Sequence, residues 1–229
     1  MTDFDPDSKV VDLRRAKGEA TRQTLIETAI IVMAARGLEG TTFSAIAEES
    51  GLSRGLVTFH FKTKEQLLAA ALDLAGELYE ASWDKHVRQP ELTPSSRLAT
   101  VLAHDIAFVR RHPAILSLWY TTWGEARTQE IYRTNTREAD RIYIGELAAA
   151  FGALAGDPGG TSQTSRAKAR ALNALVFGLW LDSHIDPDSF NDAEALDAAR
   201  AVLKGLLPDW PGDFPEIPAD GELTPARRI

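Results

Sequence analysis

The residue types best suited to chemistry are concentrated in one short stretch, SRGLVTFHF. Its outward positions combine hydrogen-bond donors, a small residue and a ring, with no acidic side chain: Arg54, Gly55, Thr58, Phe59 and His60. Such a set suits nucleic acid, because base edges are recognised by hydrogen bonds and by apolar contacts. We expect Arg54 to be the main sequence-reading group and Thr58 and His60 to be weaker ones. Gly55 would allow a close approach to the bases.

Two short helices joined by a tight turn would position these residues. Thr42 is a good N-cap for FSAIAEES, and Gly51 supplies the left-handed residue that ends this helix. Ser53 then caps a second helix, in which Val57 and Phe61 lie four residues apart and point inward. This is the helix-turn-helix pattern, whose second helix enters the DNA major groove.

A longer run around this pattern contains IAEESGLSRG, the aromatic-His-aromatic FHF and KTKEQLL. With these motifs, the run from Thr42 to Leu68 resembles the N-terminal domain of TetR-family transcriptional repressors. The resemblance implies a dimeric all-helical protein with three DNA-binding helices and a larger ligand-binding body. One departure is Thr58, where the family often carries an aromatic residue that contacts phosphate.

A further set of polar residues is expected to hold phosphates and so fix the position of the motif on DNA. Its members are Thr42, Ser44, His60 and Lys64. Lys64 would lie in the first turn of a fourth helix, opened by a capping box of Thr63 and Gln66, where the helix dipole favours an anion. The alternative for Phe59 and His60 is that both rings pack against helices one and four.

The net charge of -8 conceals an uneven distribution. Residues 9–64 hold nine Lys and Arg against six Asp and Glu, whereas residues 65–229 hold 16 against 24. The basic part coincides with the proposed motif, as a DNA-binding segment requires. Arg14, Arg15 and Lys17 could follow phosphates or enter the minor groove as a basic arm, although a solvated lead-in is an equal alternative.

Composition argues against several other classes. Cys is absent, which excludes disulfides and thiolate metal sites. No apolar run is long enough to span a membrane and the start lacks a secretory pattern, so we expect a cytoplasmic protein. The five His are scattered without metal-ligand spacing, and no Ser/His/Asp set can be placed. His104 and Asp105 should diverge, because adjacent helical residues point roughly 100° apart. We therefore expect no enzyme, no cofactor and no metal.

The apolar spacing predicts an all-α fold of about nine helices. The resemblance implies that these helices form an N-terminal three-helix DNA-binding domain and a larger helical ligand-binding and dimerisation domain. Helix one should run from about residue 18 to 36 and end at Gly37, and residues 156–165 should form a loop. The expected divisions are residues 1–16, a disordered basic N-terminal arm; 17–63, the helix-turn-helix domain with its motif at 42–61; 64–207, the ligand-binding and dimerisation domain; and 208–229, a loosely ordered Pro-rich tail.

Aromatic residues of the body fall within helices that are expected to surround one cavity: Phe108, Trp119, Tyr120, Trp123, Tyr132, Phe177 and Trp180. Aromatic faces attract cations, and a cage of them holds a quaternary ammonium group. The run FGLWLD at 177–182 resembles a helix of the BetI-like subgroup, which includes repressors of choline-to-betaine genes and so implies a choline-like effector. Asp105, Glu125 or Asp182 could supply a counter-charge. Ordinary helical core is the alternative for each ring.

The last two helices, about 166–184 and 192–207, carry more apolar surface than one partner within the chain needs. The residues in question are Ala171, Leu175, Gly178, Leu179, Leu196, Ala199, Val202, Leu203 and Leu206. We expect them to form a four-helix interface in a homodimer.

These features together predict a ligand-responsive repressor that binds double-stranded DNA. Its two heads would lie in successive major grooves of a pseudo-palindromic operator, about 34–36 Å apart. One alternative is a DNA-bound regulator or scaffold controlled by a protein partner, with no small-molecule effector. Another is a helical binding protein or enzyme whose head has lost DNA affinity.

Overall fold

The computed structural model describes residues 6–124 and 129–216, with only the backbone for residues 6–13, 129 and 131–137. Within these residues the chain forms nine α-helices and no strand, which confirms the all-α prediction. The helices are α1 (Pro6–Gly40), α2 (Phe43–Ser50), α3 (Arg54–His60), α4 (Lys64–His86), α5 (Pro94–Arg111), α6 (Pro113–Gly124), α7 (Gln129–Leu154), α8 (Gln163–Ile185) and α9 (Asp192–Leu206). None of them combines the length and apolar character that a membrane span requires.

The chain divides into two compact units between Ala71 and Leu72. The N-terminal unit contains α1, α2, α3 and the first turns of α4, and the C-terminal unit contains the remainder of α4 and α5 to α9. The division therefore falls inside α4. The expected boundary, after residue 63, lies at the start of that helix. The reason is that α4 is one continuous helix whose first turns already carry buried residues, Leu67 and Leu68.

Helix α1 begins well before the predicted start. The prediction that residues 1–16 are disordered is wrong for residues 6–16, which are helical, and residues 1–5 lie outside the described chain. Pro6 is well suited to the first helical turn, and the Arg15–Glu19 pair at 3.0 Å supports the helix further along. The predicted end is confirmed, because Gly37 has φ 67° and interrupts the helix.

The core of the N-terminal unit is made from one apolar face of each helix. The buried residues include Leu25, Ile26, Ile30 and Met33 of α1, Ile46 of α2, Val57 of α3, and Leu67 and Leu68 of α4. Each such side chain contributes about 1.5–3 kcal/mol when fully removed from water. This burial holds the two short helices α2 and α3, which are too short to be stable alone.

Helix α5 is the central helix of the C-terminal unit, in contact with α6, α7, α8 and α9. Thr93 caps its N-terminus with Pro94 in the first turn, and His112 ends it before Pro113. Almost every residue from Leu98 to Val109 is buried, including polar ones. A helix enclosed by neighbours on most sides must bury side chains in several directions.

The segment after α9 packs against the body. The prediction of a loosely ordered tail is wrong for residues 208–216, although they contain no helix. Trp210 is 6% exposed and its ring lies 5.1 Å from that of Phe214. Arg200 donates to the carbonyl oxygen of Gly212 at 2.9 Å. Burial of a large aromatic residue offsets the entropy of ordering this segment, which we call the C-terminal strap (residues 207–216). Residues 217–229 lie outside the described chain.

Candidate functional site

The helix-turn-helix has the predicted caps. The Thr42 hydroxyl accepts a hydrogen bond from the Ala45 amide at 3.1 Å, and Ser53 accepts one from the Leu56 amide at 3.3 Å. Between them, Gly51 adopts φ 70° and ψ 12°, the left-handed conformation that ends α2. These three local features fix the turn between α2 and α3, and all three are confirmed.

Helix α3 buries one face and exposes the other. Val57 is fully buried, whereas Arg54 and Gly55 are exposed and Phe59 is 70% exposed. The alternative in which Phe59 packs against neighbouring helices is therefore wrong. Leu56, at 39% exposure, was not identified from the sequence, because its apolar character suggested neither a donor nor a stacking ring.

The polar residues near the end of α3 are partly engaged by the protein itself. Thr58 was expected to contact a base. It is exposed, but its hydroxyl proton is already donated to the Gly55 carbonyl oxygen at 3.0 Å. His60 is half-buried, with its ring edge-on to Phe59 at 5.1 Å. The Lys62 ammonium donates to the carbonyl oxygens of Thr58 and Phe59 at 3.1 and 3.2 Å. Lys62 was missed, although a Lys just after a helix commonly caps its last carbonyls.

The predicted phosphate-binding residues have different environments. Thr42 and Ser44 are exposed, and the Thr42 hydroxyl keeps its proton because it only accepts in its capping bond. Lys64 lies in the first turn of α4 as predicted, but it is half-buried and donates to the carbonyl oxygen of Leu38. A phosphate would have to compete with that carbonyl. The role of each of these residues on DNA stays a prediction.

The capping box at the start of α4 differs in one bond from the expected form. The Gln66 amide donates to the Thr63 hydroxyl at 3.2 Å as predicted. The Gln66 side chain, however, accepts from the Lys62 amide at 3.0 Å and not from that of Thr63. Both bonds satisfy amides near the helix start, so the capping function is kept.

A cavity of about 80 Å³ lies within the C-terminal unit. Four of the predicted aromatic residues line it: Trp119, Trp123, Phe177 and Trp180. Two others do not, since Phe108 is buried behind Trp119 with ring centroids 6.3 Å apart, and the Tyr120 hydroxyl donates to the Phe177 carbonyl oxygen at 2.9 Å. The side chain of Tyr132 lies outside the described part of the structure.

Eight further lining residues were not singled out, and four of them carry an ionisable side chain: Tyr79, Glu80, Asp140 and Tyr143. A signal for Tyr79 was present, because it follows Ala75 by four residues on the buried face of α4. For Tyr143 and Asp140 the long polar helix α7 gave no comparable indication. Both tyrosines add aromatic rings to the cavity wall.

The tyrosine hydroxyls converge on a buried carboxylate, Asp105. Tyr79 donates to it at 2.6 Å and Tyr143 at 2.8 Å, while Nδ1 of His104 lies 2.9 Å from the same carboxylate. The expectation that His104 and Asp105 diverge is wrong, because α5 is enclosed by its neighbours and both side chains stay on its buried side. Burial raises the pKa of both tyrosines well above the ordinary value, and the negative charge of Asp105 raises them further.

Ser82 extends this network into a Ser–His–Asp arrangement that the sequence did not reveal. Its hydroxyl lies 2.8 Å from Nε2 of His104. All three residues are buried and none lines the cavity, so the geometry of a hydrolytic triad is present without an accessible nucleophile. We interpret the arrangement as a polar link between α4 and α5. Among the described residues, no group of three His, Asp or Glu side chains could hold a metal ion.

Arg88 forms ion pairs with three carboxylates near the cavity. Its guanidinium bonds to Glu80 at 2.7 Å, Asp84 at 2.6 Å and Glu146 at 2.9 Å. Burial alone would lower the pKa of Arg88, but the bonds to these carboxylates outweigh it and raise the pKa overall. Of the predicted counter-charges, Asp105 lies behind the cavity wall, Asp182 is exposed elsewhere and Glu125 is outside the described residues. The lining carboxylates are instead Glu80 and Asp140.

The expected dimer surface needs revision. Leu179, Ala199 and Leu203 are buried within their own chain, since the inner face of α9 packs on α5 and α8. Two residues of the expected set on α8 are exposed, and they continue at helical spacing into a stripe of small and apolar residues: Ala171, Ala174, Gly178, Leu181 and Ile185. A twofold interface would use this stripe, with contributions from the half-buried Leu175, Leu196, Val202 and Leu206.

Two family matches cover most of the chain. Residues 25–71 match the family described as bacterial regulatory proteins of the tetR family, and residues 94–208 match the BetI-type transcriptional repressor C-terminal family. Among curated relatives, the HTH-type transcriptional regulators BetI of Paraburkholderia xenovorans and Serratia proteamaculans are 27% and 28% identical. Each alignment covers 82% of this chain and 94% of the relative.

Solved structures show the same fold. A transcriptional regulator from Rhodococcus sp. superposes with a TM-score of 0.70 at 21% identity, covering 82% of this chain and 96% of the other. The regulator FadR of Bacillus subtilis, solved with stearoyl-CoA, gives a TM-score of 0.64 at 17% identity, covering 84% and 99%. Regulators of this type are normally not enzymes. The chain thus belongs to the TetR family, as a BetI-like DNA-binding transcriptional regulator.

Proposed function

We propose that the protein is a homodimeric repressor of bacterial genes, released from a pseudo-palindromic operator by a small-molecule effector. The observation that supports it most is the capped helix-turn-helix with the outer face of α3 left exposed. Its basic N-terminal part would bind phosphates, and two copies would place α3 in successive major grooves. As a regulator of genes it would act in the cytoplasm, with the DNA.

DNA binding is tested by selecting bound sequences from a random duplex pool and titrating the best site at several salt concentrations. We expect a site with two related halves and an affinity that falls as salt rises, because Lys and Arg displace counterions. Arg54→Ala should cost about 1–3 kcal/mol and relax base preference at one position in each half. Arg141→Ala, which removes an exposed arginine of the body, is the matched control and should change neither quantity.

A chain that enriches no sequence, or that binds without salt dependence, would contradict the proposal. It would favour the alternative in which the head has lost DNA affinity. Binding by wild type and Arg54→Ala with equal affinity and equal base preference would instead remove Arg54 from the reading set.

The cavity favours a small-molecule effector over control by a protein partner alone, since a body filled by its own side chains would have left no such space. Its walls present aromatic faces, with the ring centroids of Trp119 and Trp180 stacked 5.4 Å apart. Two carboxylates line it, Asp140 and Glu80, and the charge of Glu80 is partly offset by its bond to Arg88. Aromatic faces and carboxylates both attract cations. We infer that the effector carries a compact cationic group, as choline does.

Calorimetry with choline and betaine aldehyde tests the effector class. We expect both to bind and 3,3-dimethylbutanol, the uncharged isostere of choline, to bind far more weakly, because only the charge differs. Phe177→Ala should weaken choline binding, whereas Ile142→Ala, at an exposed site of α7, should not. Stearoyl-CoA, the ligand in the Bacillus structure, is the negative control. Absence of heat with both cations would exclude the choline-like class.

Helix α4 is proposed to transmit effector binding to the head, since its residues belong to both units. Tyr79 of α4 lines the cavity and its hydroxyl bonds to Asp105 of α5. The Tyr143 hydroxyl makes the same bond from α7, and the Tyr143 ring packs on Trp83 of α4 at 5.0 Å, a contact that a phenylalanine would keep. Of the two hydroxyls, only that of Tyr79 therefore links α4 itself to Asp105. Each Tyr→Phe variant removes one donor from the same carboxylate. We expect only Tyr79→Phe to change the effector concentration that releases DNA. Equal release curves for Tyr79→Phe and wild type would argue against α4 as the transmitter.

A further inference from the structure

The outermost face of α3 is apolar. Successive residues of an α-helix are about 100° apart, so Gly55 and Phe59 project opposite the buried Val57. Leu56 lies beside Phe59 at a spacing of three and is 39% exposed. Among the described residues only six large hydrophobic side chains are exposed, and this seven-residue helix carries two of them.

A single exposed apolar side chain needs no explanation, but two neighbours on a DNA-reading helix do. The ring of Phe59 is 70% exposed, with Gly55 one turn earlier. Within the protein this glycine is not required, because a Cβ there would meet only the Ser53 hydroxyl at an ordinary 3.7 Å. Helix propensity would favour alanine at such a position. The absent side chain therefore leaves clearance beside the Phe59 ring on the outer surface.

The major groove offers one apolar group to such a ring. Guanine, cytosine and adenine present hydrogen-bond donors and acceptors there, whereas thymine alone adds a 5-methyl group. A phenyl ring cannot hydrogen-bond a base edge, but it can remove that methyl from water. The ring cannot stack on a base in an intact duplex without opening the base stack.

We propose that Phe59 selects thymine in each half of the operator by contacting its 5-methyl group, with Gly55 giving the clearance for this contact. The proposal rests on the proposed function, because it assumes that α3 enters the major groove. Neighbouring groups restrict the ring, since His60 lies edge-on at 5.1 Å and the Lys62 ammonium lies 5.8 Å from the ring centroid. Lys62 also bonds to the Phe59 carbonyl oxygen, which fixes the end of α3.

Deoxyuridine provides the test, because it pairs like thymidine and lacks only the methyl group. The best site from the random pool is synthesised with each thymine replaced in turn by uracil, and affinities are measured by fluorescence anisotropy. We expect one or two thymines per half-site to be sensitive, each replacement weakening binding about fourfold, the factor for burying one methyl-sized group. The remaining thymines should be insensitive.

The same duplexes are then titrated with Phe59→Ala, whose exposed site leaves the fold intact, as circular dichroism would verify. The variant should bind the thymine site more weakly and should no longer distinguish uracil from thymine at the sensitive position. Ile142→Ala, with the same exposure as Leu56, is the control and should keep the full uracil effect. Phe59→Leu should restore part of the discrimination.

Several outcomes would overturn the inference about Phe59 and leave the proposed DNA-binding function intact. They are a selected half-site without thymine, the absence of any uracil effect, or a uracil effect that persists unchanged in Phe59→Ala. Failure to enrich any DNA sequence would overturn both the inference and the proposed function.

Discussion

At the scale of single residues, Gly55 is a position where the fold and the DNA would favour different side chains. It is exposed on α3, and a Cβ would meet nothing closer than 3.7 Å. Alanine is favoured over glycine inside a helix by up to about 1 kcal/mol, so the fold alone would prefer it. Close approach to base edges would favour the smaller residue.

Gly55→Ala should therefore leave the melting temperature unchanged or raised while weakening operator binding. The measurements are thermal unfolding and anisotropy on the selected duplex. Gly145→Ala is the matched control, since this exposed helical glycine of α7 also has open space around it. It should share the gain in stability and keep full DNA affinity. Unchanged DNA affinity in Gly55→Ala would show that the helix does not approach the bases at this point.

Tyr79 and Tyr143 give the body a specific response to alkali. Burial raises the pKa of both hydroxyls well above the ordinary value, with a further contribution from the charge of Asp105. A raised pKa means that the folded state keeps protons which the unfolded chain releases above about pH 10. The stabilisation by these hydroxyls is thus fully present and independent of pH below about pH 10, and it declines as the pH rises above that value.

We expect the free energy of unfolding, measured in urea, to fall above about pH 10 by up to about 1.4 kcal/mol per pH unit for each tyrosine. Tyr143→Phe should reduce that slope by one such contribution, although it lowers stability at neutral pH by about 1.5–3 kcal/mol through the lost bond to a charged group. An identical alkaline slope in wild type and variant would show that the Tyr143 hydroxyl titrates normally.

At the scale of elements, features set by neighbouring residues were predicted correctly, and features set by contacts between distant helices were not. The ends of α2 and α3 were predictable because Thr42, Gly51 and Ser53 act on amides a few residues away. The Asp105 network was not, because it joins α4, α5 and α7 across tens of residues. No single-sequence pattern reports which faces of three helices meet. For the same reason, the sequence identified only four of the residues that line the cavity and missed those contributed by α4 and α7.

The loop between α7 and α8 was predicted from its composition, but the composition did not show that the loop packs tightly against α7. Gly160 adopts φ 60° and lies directly against the backbone of α7, where a Cβ would come 2.2 Å from the Ala148 carbonyl carbon. Ser162 then caps α8, so the loop ends earlier than the predicted residue 165. Gly160 therefore serves close contact between two backbone segments and does not make the loop flexible.

Gly160→Ala should destabilise the protein by at least about 1–3 kcal/mol, from backbone strain together with the clash against α7. Urea unfolding measures the loss. Gly159→Ala is the adjacent control, because its Cβ would meet only a Thr161 methyl at 3.4 Å, and it should stay within about 0.5 kcal/mol of wild type. Equal effects of the two substitutions would mean that the loop does not pack as described.

At the scale of the whole molecule, charge and exposed apolar surface suggest how copies assemble. The body after residue 64 is acidic and so disfavours contact with phosphates, leaving DNA to the basic N-terminal part. The exposed apolar stripe of α8, which ends at Leu181 (41% exposed) and Ile185 (70% exposed), is suited to a second copy. A twofold interface of this kind would provide the two heads that a pseudo-palindrome requires.

A charge placed in that stripe should separate the copies. We expect Leu181→Glu and Ile185→Glu to shift sedimentation from dimer to monomer and to weaken operator binding, since two heads would no longer bind as one unit. Ile142→Glu, at a comparable exposure on α7, should remain dimeric. A wild-type chain that sediments as a monomer, or glutamate variants that stay dimeric, would exclude this interface.

The C-terminal strap affects where this protein can be shortened. The BetI-type family match ends at residue 208, which invites truncation at that point. A chain cut there would lose the buried Trp210 indole and would strip Arg200 of the Gly212 oxygen to which it donates. Trimming to the end of the family match would also remove the Phe214 ring, over which the Arg200 guanidinium lies at 5.4 Å, so we expect a fragment that ends at residue 208 to unfold more readily than one that extends through Phe214.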